Sequence, residues 1–190
     1  MSALFRIAGF IPFVVMIFLN AFVDLGHKII IQNTVFKVYD GDTQIILTAI
    51  VNGLILIPFV LLFAPSGFLA DRFRKPRVMV ASALSAVGLT LLITLAYYQG
   101  WFQAAFALTF LLAVQSAFYS PAKYGYIKEL AGQERLAPMN AVVQMVTIVA
   151  ILLGVFLFSI LFEMALAGYA FQAPPDLLQQ VAPVGWILVA

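Results

Sequence analysis

The sequence predicts an all-α membrane protein with five complete transmembrane helices and the start of a sixth. Hydrophobic residues make up 64% of the 190-residue chain, and charged residues only 9%. A water-soluble domain of this size has too little interior to bury so much apolar side-chain surface. The apolar residues also fall into long runs, and a helix of about 20 such residues spans the hydrocarbon core of a bilayer. We therefore expect lipid to surround most of the chain.

The apolar runs place the helices in order along the chain. We expect them at about residues 7–34, 44–66, 78–98, 104–123 and 139–164, with a sixth from residue 184 to residue 190. The first run follows Arg6 as in a secretory signal, but it is longer than a signal core and holds polar residues, so we predict a retained helix. Pro121 removes a backbone donor and should bend or end the fourth helix.

The connections between the runs are short, so no separate domain is expected between helices. Residues 166–183 are predicted to be a loop with one interfacial helical turn. The whole of residues 1–190 is then one incomplete transmembrane bundle, and we expect a longer protein to contain it.

The composition excludes several classes of site and partner. The chain has no cysteine and a single histidine, so disulfides, cysteine metal sites and thiol nucleophiles are excluded and little remains for a metal site or catalytic triad. The sequence pI of about 9.0 would suit a nucleic-acid partner, but the net charge is only +2. We expect no cofactor, no metal, no nucleic acid and no enzymatic activity in this segment.

The basic residues predict the orientation, because lysine and arginine in short loops stay on the cytoplasmic side. Of the ten Lys and Arg residues, two lie at one set of helix ends, Lys28 and Lys37. The other eight lie at the opposite ends: Arg6, Arg72, Arg74, Lys75, Arg77, Lys123, Lys128 and Arg135. The N-terminus is therefore predicted to be cytoplasmic.

The first helix carries the main candidate binding residues, which are Asn20, Asp24, His27 and Lys28. Their spacing puts them on one helix face, and a charge at the bilayer centre costs about 2.5–3.5 kcal/mol. Such a face should look into protein or a watery cavity and bind a polar substrate group. The alternative is that Asp24 and Lys28 form a self-neutralising i, i+4 pair near the outer end of the helix.

The fourth helix repeats the pattern with Ser116, Tyr119, Ser120 and Lys123. We include Tyr119 and Lys123 among the candidate binding residues, although Lys123 could instead extend to anionic lipid head groups. Polar residues elsewhere are expected to form hydrogen bonds between helices: Asn52, Gln115, Asn140, Gln144, Thr147 and Glu163.

A charged hairpin is predicted between the second and third helices. Seven residues, 71–77, hold five charges: Asp71, Arg72, Arg74, Lys75 and Arg77. Gly67 should permit a tight exit from the second helix. Asp71 could accept hydrogen bonds from free backbone donors of the next helix or pair with the arginines.

These residues resemble a known loop motif. The order of Gly67, Ala70, Asp71 and Arg72 is similar to the motif between the second and third helices of major facilitator superfamily transporters, whereas Arg74 and Pro76 depart from it and mark a divergent branch. A narrower resemblance, to the bacterial lysophospholipid transporter family, rests on residues 18–24, 70–71 with 77–80, 119–125 and 148–154.

The resemblance implies a transporter of two six-helix bundles that moves lysophosphatidylethanolamine-like lipids from the outer to the inner leaflet of the bacterial cytoplasmic membrane by alternating access. It implies that Asp24 meets the head group and that Gly67, Asp71, Arg72 and Arg77 belong to a loop that holds the outward-open state. The expected partners are membrane lipid, the lysolipid, a C-terminal transporter half and a fused acyltransferase domain.

Three alternative functions are compatible with the same helices. The helices could anchor an acyltransferase and present lysolipid to it without transport. They could belong to a facilitator of another small molecule, such as a sugar or drug exporter. An enzyme active within the membrane is the weakest option, because the sequence has no cluster of histidine and acidic residues.

Overall fold

The computed structural model of the protein describes residues 2–166, and all regular secondary structure within them is helical. The elements are α1 (Ser2–Phe5), α2 (Phe10–Val38), α3 (Gly41–Leu61), α4 (Phe63–Arg72), α5 (Lys75–Tyr98), α6 (Phe102–Ala131) and α7 (Leu136–Leu166). Five of them, α2, α3, α5, α6 and α7, are long and apolar enough to cross a membrane. The predicted all-α fold is confirmed, and the chain is a multi-pass membrane protein. The expected sixth helix lies outside the described residues, as does the loop before it apart from Leu166.

The helices pack against one another in specific pairs. The first long helix α2 packs along α7, α5 packs along α6, and α3 and α4 also pack against α6. Buried apolar side chains form two clusters at opposite ends of the bundle. One contains Ile30, Ile93 and Phe162, and the other contains Phe13 and Met79. The middle of the bundle, between these clusters, is where polar side chains gather.

Two glycines allow α2 and α7 to approach closely. A Cβ atom at Gly154 would lie 2.7 Å from the backbone oxygen of Phe22, and a Cβ at Gly26 would lie 2.7 Å from the Phe158 ring. Small residues let membrane helices pack backbone to backbone, which increases the van der Waals contact that holds them together. The α2–α7 contact therefore depends on one glycine from each helix.

Polar contacts continue the α2–α7 interface toward the outer end predicted from the basic residues. The Asn33 amide donates to the Ser159 hydroxyl at 3.5 Å. Beyond it, Lys37 Nζ lies 2.9 Å from Glu163 Oε2, and both side chains are partly exposed. Glu163 was expected to bond between helices, and it does so as an ion pair.

The other polar residues expected to link helices divide into two groups. Gln144 donates to the Tyr124 hydroxyl of α6 at 3.1 Å, as predicted. Thr147 and Asn52 instead donate to carbonyls of their own helices, those of Val143 and Thr48. For these two residues the prediction was wrong, because a carbonyl one turn back is always within reach of a short polar side chain.

Pro121 was predicted to bend or end the fourth helix. It does not end the helix, since α6 continues through Pro121 to Ala131. A proline inside a helix costs about 3 kcal/mol. Buried residues on both sides of it, Tyr119, Ala122 and Ile127, pack into one apolar cluster. Their burial offsets the lost hydrogen bond and keeps the helix in one piece.

The tight exit expected at Gly67 was also wrong. Gly67 lies inside α4, which follows α3 after a single intervening residue, Leu62. Ser66 and Ala70 are the buried residues of this short helix, which packs on α6, so packing prolongs the helical segment beyond the glycine. The turn instead falls at Phe73 and Arg74, where the backbone is extended before α5 begins.

A second ion pair fastens the start of α5 to the end of α6. Lys75 Nζ lies 2.9 Å from Glu129 Oε1. The aliphatic stem of Lys75 crosses Gly125, where an added Cβ would lie 2.6 Å from Lys75 Cε. Nothing in the local sequence distinguishes Lys75 or Glu129 from the other charged residues at this end of the bundle.

Candidate functional site

A cavity of about 480 Å³ lies between α2 and α5, roughly halfway along both helices. Its mouth is formed by Leu19, Val87 and Leu91, each more than half exposed. The side chains that line it come from four helices: Leu19, Asn20, Val23 and Asp24 from α2; Ala83, Ala86, Val87, Thr90 and Leu91 from α5; Leu112 and Gln115 from α6; and Phe158 from α7.

Asp24 is the charged residue of the cavity wall, and it lies at the midpoint of α2. The Ser116 hydroxyl lies 3.0 Å from Asp24 Oδ2, to which it donates, and 3.2 Å from Gln115 Oε1. The Gln115 amide in turn donates to the backbone oxygen of Ser82 at 2.9 Å. This chain of contacts connects α2 through α6 to α5, and it fixes the carboxylate at the edge of the cavity.

The chemistry of the wall suits an amphiphile with a cationic group. A carboxylate attracts a cation strongly in a setting of low dielectric constant. The amides of Asn20 and Gln115 and the hydroxyl-bearing Thr90 add polar groups, and the remaining lining is apolar. No lysine, arginine or histidine of the described chain contributes to this wall.

The structure brings together two of the six predicted binding residues, Asn20 and Asp24. His27 and Lys28 lie further along α2 and are not part of the lining; His27 is 1% exposed and Lys28 is half-buried. No ion pair joins Asp24 to Lys28 within residues 2–166, and Asp24 lies at mid-helix rather than near the outer end. Asp24 and Lys28 therefore do not form a close ion pair, and the Asp24 carboxylate accepts a hydrogen bond from Ser116 instead.

Tyr119 and Lys123 lie on the other side of the cavity, toward the predicted cytoplasmic end. Both are buried, with 3% and 8% of their surface exposed. Tyr119 belongs to the apolar cluster around Phe13 and Met79. Lys123 Nζ lies 4.8 Å from the centre of the Tyr124 ring, a cation–π contact. The structure places Lys123 inside the protein rather than extended toward lipid, but away from the cavity.

Three of the four predicted loop residues lie at or beside the turn between α4 and α5, whereas Gly67 lies inside α4. Asp71, Arg72 and Arg77 are exposed, and the Arg72 guanidinium lies 5.9 Å from the centre of the Phe68 ring. The start of α5 has no side-chain cap, so Asp71 does not occupy that position. Among the described basic residues of this turn, Lys75 forms an ion pair, and its partner is Glu129.

Three residues of the site were missed as binding candidates: Gln115, Phe158 and Ser116. Gln115 was expected only to link helices, and it does this while also lining the cavity. Phe158 is one of 18 phenylalanines, with nothing in its local sequence to distinguish it. Ser116 was noted for its helix face, but its contact with Asp24 depends on α6 lying next to α2, which the sequence does not show.

Replacing Ser116 with alanine is expected to reduce the site's affinity for a cationic ligand about ten- to hundredfold, because a hydrogen bond to a charged group contributes about 1.5–3 kcal/mol and fixes the carboxylate. Ser116→Thr should retain most of the affinity. The measurement is concentration-dependent uptake or binding by the full-length protein. Ser85→Ala is the matched control, since its hydroxyl bonds to the Ser82 carbonyl of its own helix at 2.8 Å. Equal losses in Ser116→Ala and Ser85→Ala would contradict the role of Ser116.

Comparison with known proteins gives matches at two levels. The family model of the Major Facilitator Superfamily matches residues 2–174. Lysophospholipid transporter LplT of Photorhabdus laumondii is 38% identical over 104 residues, which is 53% of this chain and 22% of that protein. Lysophospholipid transporter LplT of Yersinia pestis is 39% identical over 103 residues, again 53% of this chain and 22% of that protein. No solved structure matches significantly.

These matches confirm the resemblance drawn from the loop motif and the segments around it. The matched region spans about a fifth of the length of the curated relatives.

Proposed function

Because this chain belongs to the major facilitator superfamily, we propose that it forms the N-terminal bundle of a transporter that moves lysophospholipid across a membrane. The proposed membrane is the bacterial cytoplasmic membrane, with the N-terminus inside and the lipid moving from the outer to the inner leaflet. The observation that carries the proposal is the cavity between α2 and α5, with the Asp24 carboxylate at its edge. The names of the two relatives support the choice of substrate class.

The lining of the cavity supports an amphiphilic substrate such as a lysolipid. The ammonium of an ethanolamine head group would lie near Asp24, with the amides of Asn20 and Gln115 around it. The acyl chain would leave through the apolar mouth at Leu19 and Leu91. A carboxylate beside an open apolar mouth suits an ammonium joined to a hydrocarbon chain better than it suits a sugar, whose hydroxyls need many hydrogen-bond partners.

The phosphate of the lipid needs a positively charged partner that the described wall does not offer, because Lys28 and His27 lie outside it. We propose that a C-terminal bundle completes the path and contributes that partner. The two bundles would alternate between outward-open and inward-open arrangements around a site near the bilayer midplane. The position of Asp24 halfway along α2 agrees with such a site. A fused acyltransferase domain, which would use the delivered lysolipid, is the further proposed partner.

The proposal is tested by a flip assay with labelled lysophosphatidylethanolamine in vesicles that carry the full-length protein. Protein-dependent movement of the label between leaflets is expected. Binding of the lipid without any movement would overturn transport and favour a module that presents lysolipid to an acyltransferase. Movement of a sugar or drug but not of lysolipid would replace the substrate class.

Asp71→Ala is expected to shift the balance between the outward-open and inward-open states and leave the affinity for lysolipid unchanged. Asp71 is exposed at the turn before α5, far from the cavity wall, where a charge can pair with the second bundle. The measurement is the labelling rate of single cysteines placed on the outer side of the cavity mouth. Identical labelling in Asp71→Ala and the parent protein would contradict a role in state selection, and Asp42→Ala, at an exposed position on the start of α3, is the matched control.

A further inference from the structure

One aromatic side chain among the described residues, that of Phe158, lines the cavity. It is 3% exposed and belongs to the buried apolar cluster of the outer end. Its ring reaches the cavity from α7, whereas Asp24 lies on α2. The position of this ring therefore affects the space in the cavity that Asp24 also lines.

The Phe158 ring has little freedom on the side of α2. A Cβ atom added at Gly26 would lie 2.7–2.8 Å from three atoms of the ring, closer than non-bonded carbon atoms approach. The Phe22 ring, also on α2, meets Phe158 edge to face with centroids 5.3 Å apart. The absence of a side chain at Gly26 is thus what allows the ring to lie against α2.

The direction in which the ring could move follows from what surrounds it. The α2 backbone cannot yield easily, because Gly154 of α7 lies against the Phe22 backbone nearby. The buried cluster on the other side is packed with side chains. The cavity is the unfilled space next to the ring, so a larger residue at position 26 would push the ring into it.

We propose that Gly26 and Phe158 together set the size of head group that the site accepts. Gly26 is a positioning residue that acts through the ring, and Phe158 is the residue whose ring limits the size of the head group. With Gly26 as it is, the ring leaves room for a small ammonium beside Asp24; a bulkier substituted ammonium meets the ring. This inference rests on the proposed function, since it names the feature of the lysolipid that the same site selects.

The test compares lysophosphatidylethanolamine with its N-monomethyl and N,N-dimethyl forms, which keep the positive charge while each methyl group enlarges the head group and removes one N–H donor. The loss of donors is the same for parent and variants, so a change of the uptake ratio between them reports the effect of size. In the full-length protein, Gly26→Ala should lower uptake of the dimethyl form relative to the unmethylated form. Phe158→Leu should raise that ratio. A change of about tenfold in each direction is expected, since one methyl group in a fitted pocket changes discrimination about 10- to 200-fold.

The controls separate selectivity from general damage. Gly53→Ala and Gly88→Ala place a methyl group where nothing lies within 4 Å, and they should leave the ratio unchanged. The double variant Gly26→Ala with Phe158→Leu should return the ratio toward that of the parent. Equal changes for all three lipids, or no change in Phe158→Leu, would overturn the inference; the latter variant decides the matter if Gly26→Ala does not fold.

A second measurement does not depend on transport, so that failure of the inference can be told from failure of the proposed function. This chain has no cysteine, and Asn20→Cys in an otherwise cysteine-free full-length protein places a single thiol on the cavity wall. Gly26→Ala should slow the labelling of this thiol by a bulky thiol reagent more than by a small one, and Phe158→Leu should do the opposite. Unchanged labelling overturns the inference whether or not lysolipid moves, whereas the expected labelling in a protein that moves no lysolipid overturns the proposed function alone.

Discussion

Asp24→Asn is expected to reduce lysolipid uptake at least tenfold while the protein still folds and inserts. Asparagine keeps the shape of the side chain, and its oxygen can still accept the hydrogen bond that Ser116 donates to Asp24 at 3.0 Å. What is lost is the negative charge that would meet the ammonium. A charge-assisted hydrogen bond contributes about 1.5–3 kcal/mol, so binding should weaken about ten- to hundredfold. The measurement is uptake of labelled lysophosphatidylethanolamine by vesicles with equal amounts of parent or variant protein.

Asp42→Asn is the matched control, because Asp42 is an exposed acidic residue in the first turn of α3 and is remote from the cavity. It should leave uptake unchanged. Parent-like uptake by Asp24→Asn would show that the cavity is not part of the transport path. A loss of folded protein would show instead that the carboxylate is structural, so the amount of monodisperse protein must be measured in parallel.

Gly154→Ala is expected to destabilise the bundle by about 1–3 kcal/mol, the usual cost of overpacking a close contact. The added Cβ would lie 2.7 Å from the backbone oxygen of Phe22 and 3.4 Å from two other backbone atoms of that residue. Backbone atoms cannot rotate away as a side chain can, so α2 and α7 must separate. The bonds of Asn33 with Ser159 and of Lys37 with Glu163 span the same interface and weaken with it.

The measurement is the free energy of unfolding of the purified protein in detergent. Gly88→Ala is the control, and it should raise the free energy of unfolding instead of lowering it, because nothing lies within 4 Å of a Cβ there. An alanine for a glycine inside a helix otherwise stabilises it by about 0.5–1 kcal/mol. Equal stability of Gly154→Ala and Gly88→Ala would mean that α2 and α7 are not held together at this glycine.

The positions of the long helices could be predicted from the sequence because lipid requires long apolar runs. Their ends could not be predicted as well. Gly67 and Pro121 both suggested interruptions by local backbone chemistry, but α4 and α6 continue through them. In each case neighbouring residues pack against other helices, and local propensity carries no information about that packing.

The sequence predicts which face of the helix carries the candidate site, but not how far along the helix axis the site lies. Helical periodicity correctly placed Asn20 and Asp24 on one face, and both line the cavity. Lys28 shares this face but lies one turn further along the axis, beyond the cavity, because periodicity gives a direction and not a height. Phe158 could be found only from the pairing of α2 with α7, and no pattern in a single sequence reveals which helices are neighbours.

The pairing of α2 with α7 also has a consequence for the order of synthesis. Asn33 and Ser159 are 126 residues apart, a stretch that a ribosome makes in roughly 6–25 s at about 5–20 residues per second. During this time α2 must remain in the membrane or its insertion machinery without the helix that covers it. The hydrogen bond of Asn33 with Ser159 and the ion pair of Lys37 with Glu163 form only when α7 has been made. We therefore expect a chain that stops before α7 to leave this face of α2 uncovered, and to be degraded faster than a chain that contains α7.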